Sequence, residues 1–296
     1  MNTVFVISIT PFTADGALDE PALRGHLRRM AAAGVGAYVA GSGSGEGYSL
    51  TPGERDRVFE IAAEELSGRV PARAMGVEPR SAAEMVALAA AAAKAGMDAV
   101  QVYSLDLGHG HLPSPTEVER YLRDVLEAAD VPLVLSTHQS AGYRVDPSLL
   151  SVLASEYPHL AGINCTHADL GYLASVIDAA AGREVHVGGP AQALSAMALG
   201  ATGYLTSEAN LSPALCKQVV DAYADADLHA AATSYATVIR LSTLLYAHGG
   251  IRATKAVLNA LGLPGGYPRL PQLPVSEADA SALLAHVRAL GALDAP

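Results

Sequence analysis

The chain has 296 residues, half of them apolar, enough to bury a large core in one or two domains. Charged residues make up 17%, and 19 Lys+Arg against 30 Asp+Glu leave a formal charge of -11, so neither nucleic acid nor an anionic membrane is an expected partner. Two cysteines, Cys165 and Cys216, make no disulfide framework, the opening MNTVFVISITPF lacks the charged start of a signal peptide, and the long apolar stretch AEMVALAAAAAKAGMDAV is interrupted by Lys94, so a soluble, reduced, cytoplasmic protein is expected.

In chain order, short apolar runs occur at 4–10, 37–42, 72–77, 99–104, 132–137, 161–166, 185–189 and 203–208. Helix-length segments such as EPALRGHLRRMAAAG and TPGERDRVFEIAAEEL follow them. Strands buried on both faces are continuously apolar, and eight βα units predict an α/β fold, a (β/α)8 TIM barrel. Residues 1–211 are expected to form the barrel. Residues 212–296 supply its last helix and a small C-terminal helical layer in the same structural domain. Helix starts are legible at Asp19 before Pro21, at Thr51 with Glu54 three residues on, and at Ser114 with Glu117 three residues on. These starts put the intervening loops at the C-terminal ends of the strands, where barrel active sites assemble.

The loop after the second strand, GSGSGEGYSLTPGER at 41–55, is rich in glycine, which lets backbone N–H groups approach an anion, and Ser42 and Ser44 add hydroxyl donors. Alone, the segment also fits a flexible turn. It is accompanied, in order, by SITPFTADGALD at the start, GATGYLTSEANLSP at 200–213 and ATKAVLNALGLPGG with PRLP at 253–271. On these four motifs the chain resembles the dihydrodipicolinate synthase/N-acetylneuraminate lyase superfamily of DapA-like aldolase barrels over nearly its whole length. The resemblance implies a lysine at the sixth strand end forming a Schiff base with a 2-oxo acid and a tyrosine at the fifth relaying protons. It also implies a Gly-Thr-Thr-Gly-Glu loop holding the substrate carboxylate. It further implies a small-molecule carboxylate substrate, no cofactor, and a homo-oligomer, a dimer or tetramer.

Two of those positions depart from the pattern. The sixth strand has LAGINCT where the family has Gly-Ile-Lys-Asp-Ser, which puts Asn164 at the lysine position. The fifth has PLVLSTHQSAGYRV where the family has Tyr-Asn-x-Pro, which puts Ser136 at the tyrosine and Ala141 near a substrate-binding arginine. Lys94, Lys217 and Lys255 are the only lysines, and none falls at a strand end, where imine chemistry needs a desolvated amine. A lysine imine is therefore not expected.

The mouth is instead expected to be rich in histidine. Tyr103, Asp106, His109 and His111 lie in the loop after the fourth strand, His138 at the end of the fifth and His167 after the sixth. The two-residue period of a strand puts His138 on the same side as Ser136. Three readings compete: proton transfer by His138 with His109 or His111, a metal site using the imidazoles of His109, His111 and His138 with Asp106 or Glu46 as a carboxylate ligand, or solvated loop histidines and backbone caps. Tyr143 stands as a replacement for the missing hydroxyl or as a packing residue. Glu208 stands as a site carboxylate or a salt-bridge partner. Gly188 and Gly189 fit close approach to a ligand or a tight turn, Glu46 is expected to anchor its own loop, and Cys165 to face away from the pocket. The expected function is lyase-type chemistry on a small oxo- or hydroxy-carboxylate. Thr10, Ser42, Gly43, Ser44, Tyr103, Asp106, His167, Gly188 and Glu208 are expected to bind substrate, and His138, Asn164, Ser136, His109, His111 and Tyr143 to act on it. A metal-dependent aldolase or hydro-lyase, and a non-catalytic carboxylate-binding protein, are the alternatives.

Overall fold

The computed structural model describes residues 3–139 and 144–294. Eight strands form a closed parallel barrel in sequence order: β1 (Thr3–Ile7), β2 (Gly36–Val39), β3 (Ala72–Ala74), β4 (Ala99–Val102), β5 (Leu133–His138), β6 (Leu160–Thr166), β7 (Glu184–Gly188) and β8 (Gly203–Thr206). Eight helices follow them in turn: α1 (Glu20–Ala32), α2 (Pro52–Leu66), α3 (Ala82–Ala95), α4 (Pro115–Ala128), α5 (Pro147–Glu156), α6 (Leu170–Ala179), α7 (Ala193–Ala198) and α8 (Pro213–Ala224). This is the (β/α)8 barrel expected from the eight apolar runs. Three more helices, α9 (Leu228–Ala247), α10 (Ile251–Ala260) and α11 (Glu277–Ala289), complete the chain. Among the described residues no helix is long and apolar enough to cross a membrane.

The helix starts use the expected chemistry. Thr51 and Ser114 each close a capping box with Glu54 and Glu117, and the Asp19 carboxylate accepts from the Ala22 backbone N–H.

Strand residues alternate between two environments. Val4, Val6, Val39, Val100, Leu135, Ile163, Cys165 and Val187 pack outward in the shell between strands and helices, which removes the Cys165 thiol from the barrel interior. Burial raises that thiol's pKa to about 12. Phe5, Tyr38, Met75, Tyr103 and Leu205 pack inside. The register places Ser136 beside Asn164, Asn164 beside His186, and His138 beside Thr166, so the interior chemistry of β5, β6 and β7 stands in adjoining rows.

The C-terminal helices have their own core, with Leu241, Leu245, Val257, Leu258 and Leu283 packed around Ile9 and Leu211. They are also tied to the barrel by charge. Lys255, 1% exposed, donates through Nζ to the carbonyls of Thr10 (2.8 Å) and Tyr267 (2.9 Å) and to Glu46 Oε2. Arg269 pairs with Glu54 (2.6 Å) and donates to the carbonyls of Gly16 and Ser49.

Candidate functional site

At the C-terminal ends of the strands lies a cavity of about 650 Å³, roofed on one side by residues of the C-terminal helices, Tyr246 and Thr254 among them. Four groups of side chains build its wall.

The first is the loop after β2. Ala40 and Glu46 adopt left-handed backbone angles (φ 59° and 49°), and a Cβ on Gly47 would come 2.2 Å from the Ala40 carbonyl oxygen, so this turn closes only with glycine there. Glu46 holds the turn from behind: one carboxylate oxygen takes Lys255 and the other accepts the Arg269 backbone N–H at 3.1 Å. Glu46 thus anchors its own loop, and Thr10, expected to touch substrate, instead donates to the Gly45 carbonyl at 2.7 Å. Ser42, Gly43 and Ser44 are left lining the cavity, and a Cβ on Gly43 would meet no atom within 4 Å.

The second group is the end of β4 with the loop after β3. The Tyr103 hydroxyl is within hydrogen-bonding reach of Ser42, and burial pushes its pKa above the usual phenol range, reinforced by Glu78. Glu78, which the sequence reasoning missed, lines the cavity beside it.

The third group is β5 and β6. Ser136, His138, Asn164 and Thr166 all line the cavity. The Asn164 amide is held from one edge, where Nδ2 is 2.6 Å from Gln101 Oε1 and 3.2 Å from Tyr38 Oη; its other edge is buried without a partner among the described residues. Beneath it, Arg73 donates to Tyr38 Oη (3.1 Å) and Glu184 Oε2 (2.6 Å), and its guanidinium carbon sits 4.4 Å from the centre of the Phe5 ring. Burial lowers the His138 pKa from the ordinary imidazole value, opposed by the Glu78 carboxylate.

The fourth group is the strand ends of β7 and β8. A Cβ on Gly188 would lie 1.9 Å from Thr166 Oγ1, so this glycine makes room for the Thr166 side chain, while Gly189 takes a φ of 83°. Glu208 lines the cavity at 1% exposure. Its Oε2 accepts from Thr206 Oγ1, and its Oε1 is buried with no partner among the described residues. Asn210 pins this loop to β1 by accepting from the Ile9 N–H (2.9 Å) and donating to the Ile7 carbonyl (2.9 Å).

The expected histidine cluster does not assemble. His109 and His111 are exposed on a turn where His109 itself takes a φ of 50°, and neither lines the cavity. Asp106, also outside it, accepts from the Gly108 N–H at 2.8 Å and so shapes that turn. His167 packs on the Tyr172 ring, centroids 4.7 Å apart, and its Nδ1 accepts from the Asp169 N–H at the start of α6. Among the described residues no group of three His, Cys, Asp or Glu side chains is placed to hold a metal ion, so His109, His111 and His138 do not form the ligand set considered above. Tyr143 and Ala141 lie outside the described residues.

None of the three lysines lines the cavity: Lys94 is exposed on α3, Lys217 pairs with Asp221 on α8, and Lys255 is engaged by Glu46. The Arg73 group was missed as well. Its signal was available in strand parity, since Arg73 stands two residues before the inward Met75.

Known proteins resemble this chain along its whole length. A 4-hydroxy-tetrahydrodipicolinate synthase of Mycolicibacterium paratuberculosis is 28% identical over 99% of this chain and 96% of its own. A DapA-like lyase of Halobacterium salinarum is 32% identical over 96% of this chain and 92% of its own. The crystal structure of a dihydrodipicolinate synthetase homologue from Pseudomonas aeruginosa superposes with a TM-score of 0.88 at 28% identity, covering 98% of this chain and 99% of that one. With the model of the dihydrodipicolinate synthetase family matched across residues 1–290, the chain belongs to that family.

Proposed function

We propose that the protein is a lyase-type enzyme that acts on a small oxo- or hydroxy-carboxylate without a lysine imine. Family membership and the lyase relatives support the reaction class. The observation that carries the departure is Asn164 in the β6 wall of the cavity, with Lys255 bound to Glu46 elsewhere. An amide forms no imine, and Lys255 is already engaged by one carboxylate and two carbonyls.

In this reading the Ser42–Gly43–Ser44 turn receives the carboxylate through neutral donors, and the Ser136 hydroxyl and Asn164 amide receive the reacting carbonyl oxygen. Arg73 supports the amide from below. A guanidinium only donates, which leaves the Tyr38 O–H free to donate to the Asn164 oxygen; Gln101 turns with the amide, whose N–H groups then face the carbonyl. His138, across the barrel from β1, moves the proton. Aldol cleavage or condensation, dehydration and decarboxylation all use an enolate held in this way. We place the enzyme in the cytoplasm as a homo-oligomer, on the habit of the family.

Borohydride treatment in the presence of pyruvate should add no mass to any lysine; a stable adduct on Lys94, Lys217 or Lys255 would falsify the imine-free mechanism. Solvent deuterium incorporation into a panel of 2-oxo, hydroxy and β-dicarboxylic acids, followed by NMR, should occur with the wild type and vanish in His138→Ala. Binding across the panel with no exchange and no turnover would instead make the protein a carboxylate binder.

A further inference from the structure

A second cavity, of about 660 Å³, lies among the C-terminal helices, and its wall shares no residue with the first. α10 supplies one side through Arg252, Lys255 and Ala256, and α11 the other through Ala280 and Ser281. The two helices share a core of Val257, Leu258, Leu283 and Val287. Beside that core the alanines at 256, 260 and 280 are too short to close the gap, and the segments 266–268 and 274–276 rim it. Its size is that of a small-molecule site.

The charge in this cleft is uncommitted. Among the described residues Arg252 forms no salt bridge, and its one hydrogen bond is long, 3.5 Å from Nη1 to the carbonyl of Leu273, next to Pro274 in the wall. Lys255 is already engaged by Glu46 and two carbonyls. Glu277, exposed at the start of α11, opposes a second negative charge. One available guanidinium beside small apolar side chains fits a single carboxylate on an apolar body. The same wall also holds the β2 turn. Lys255 binds Glu46 and the Tyr267 carbonyl, and Arg269, two residues on, donates its backbone N–H to Glu46. An occupant packed on Lys255 and Tyr267 therefore orders the clamp behind residues 41–47. α10 is a partition between the two cavities, since it presents Ile251 and Thr254 to the first.

We propose that the cleft between α10 and α11 is a second ligand site, that it takes a monocarboxylate with an apolar body, bound through Arg252, and that its occupancy steadies the β2 turn at the barrel mouth. The site goes beyond the lyase reading and does not depend on it.

The test is calorimetric titration with phenylacetate, 3-phenylpropionate and indole-3-acetate, each beside its neutral amide, together with amide hydrogen exchange of residues 41–47. At least one acid should bind the wild type with a Kd below about 1 mM and about tenfold tighter than its amide. Arg252→Gln removes the charge, and Ser281→Trp fills the cleft from an exposed position. Each should weaken that acid about tenfold or more. The bound acid should slow exchange in 41–47 about threefold or more in the wild type, and leave it unchanged in Arg252→Gln at the same concentration. No binding by any of the three acids, amides that bind as tightly, affinity that survives either substitution, or binding that leaves exchange in 41–47 unaltered overturns the proposal. Borohydride trapping and deuterium exchange through His138 report on the first cavity alone, so either reading can fail while the other stands.

Discussion

Two buried carboxylates, Glu46 and Glu208, sit on either side of β1 and are treated in opposite ways. Glu46 is saturated: Lys255 binds one oxygen and the Arg269 backbone the other, and the remaining Lys255 protons go to two carbonyls. Among the described residues Glu208 has a single hydroxyl partner and one oxygen with none. Saturation of every donor and acceptor is what a structural ion pair requires, because each desolvated charge must be compensated in place. A carboxylate left incomplete in a cavity wall does not stabilise the fold. The difference separates a carboxylate that the scaffold completes from one that it leaves incomplete.

Substitution tests this contrast most sharply. Lys255→Met should destabilise the protein by about 3–5 kcal/mol, since it strands Glu46 beneath the β2 loop. Glu208→Gln should stay within about 1 kcal/mol of wild type, because the amide oxygen keeps the Thr206 hydrogen bond. Urea denaturation of both variants checks this, and comparable losses would erase the distinction.

Acid should act on another buried pair. His26 and His186 are fully buried, and burial lowers each pKa to about 3 from 6.5. The unfolded chain therefore takes up these protons first as the pH drops. Stability is complete above about pH 6.5 and is lost toward pH 3, at just over 1 kcal/mol per pH unit for each imidazole. Urea midpoints measured from pH 7 to 5 should fall with that slope, and His186→Gln should flatten it by one proton. A small effect is expected at the start of α2: Thr51→Ala opens the capping box and should cost about 1 kcal/mol in a thermal melt.

The barrel was legible because each parallel strand is buried on both faces and announces itself as an apolar run, and because Thr51 and Ser114 mark helix starts by local chemistry. Strand-borne site residues were legible for the same reason. Ser136, His138 and Asn164 follow from the alternation of β5 and β6 once one of them is known to face inward. Loop residues have no such period. His109 and His111 share the neighbourhood of β4, yet a left-handed turn shaped by Asp106 keeps them outside the cavity, and nothing in their spacing encodes that turn. Glu78 was missed for the complementary reason, as a lone acid in a connecting segment that only the closed barrel brings beside His138 and Tyr103.

The anchoring of the β2 turn also bears on the order in which the molecule is made. Residues 41–47 emerge early in translation, but the groups that fix Glu46 and its turn come from Lys255 and Arg269, more than two hundred residues later. A nascent chain halted in the last barrel helix would carry all eight strands and still lack the groups that fix the β2 turn. This part of the cavity wall is therefore complete only after most of the C-terminal helices have left the ribosome.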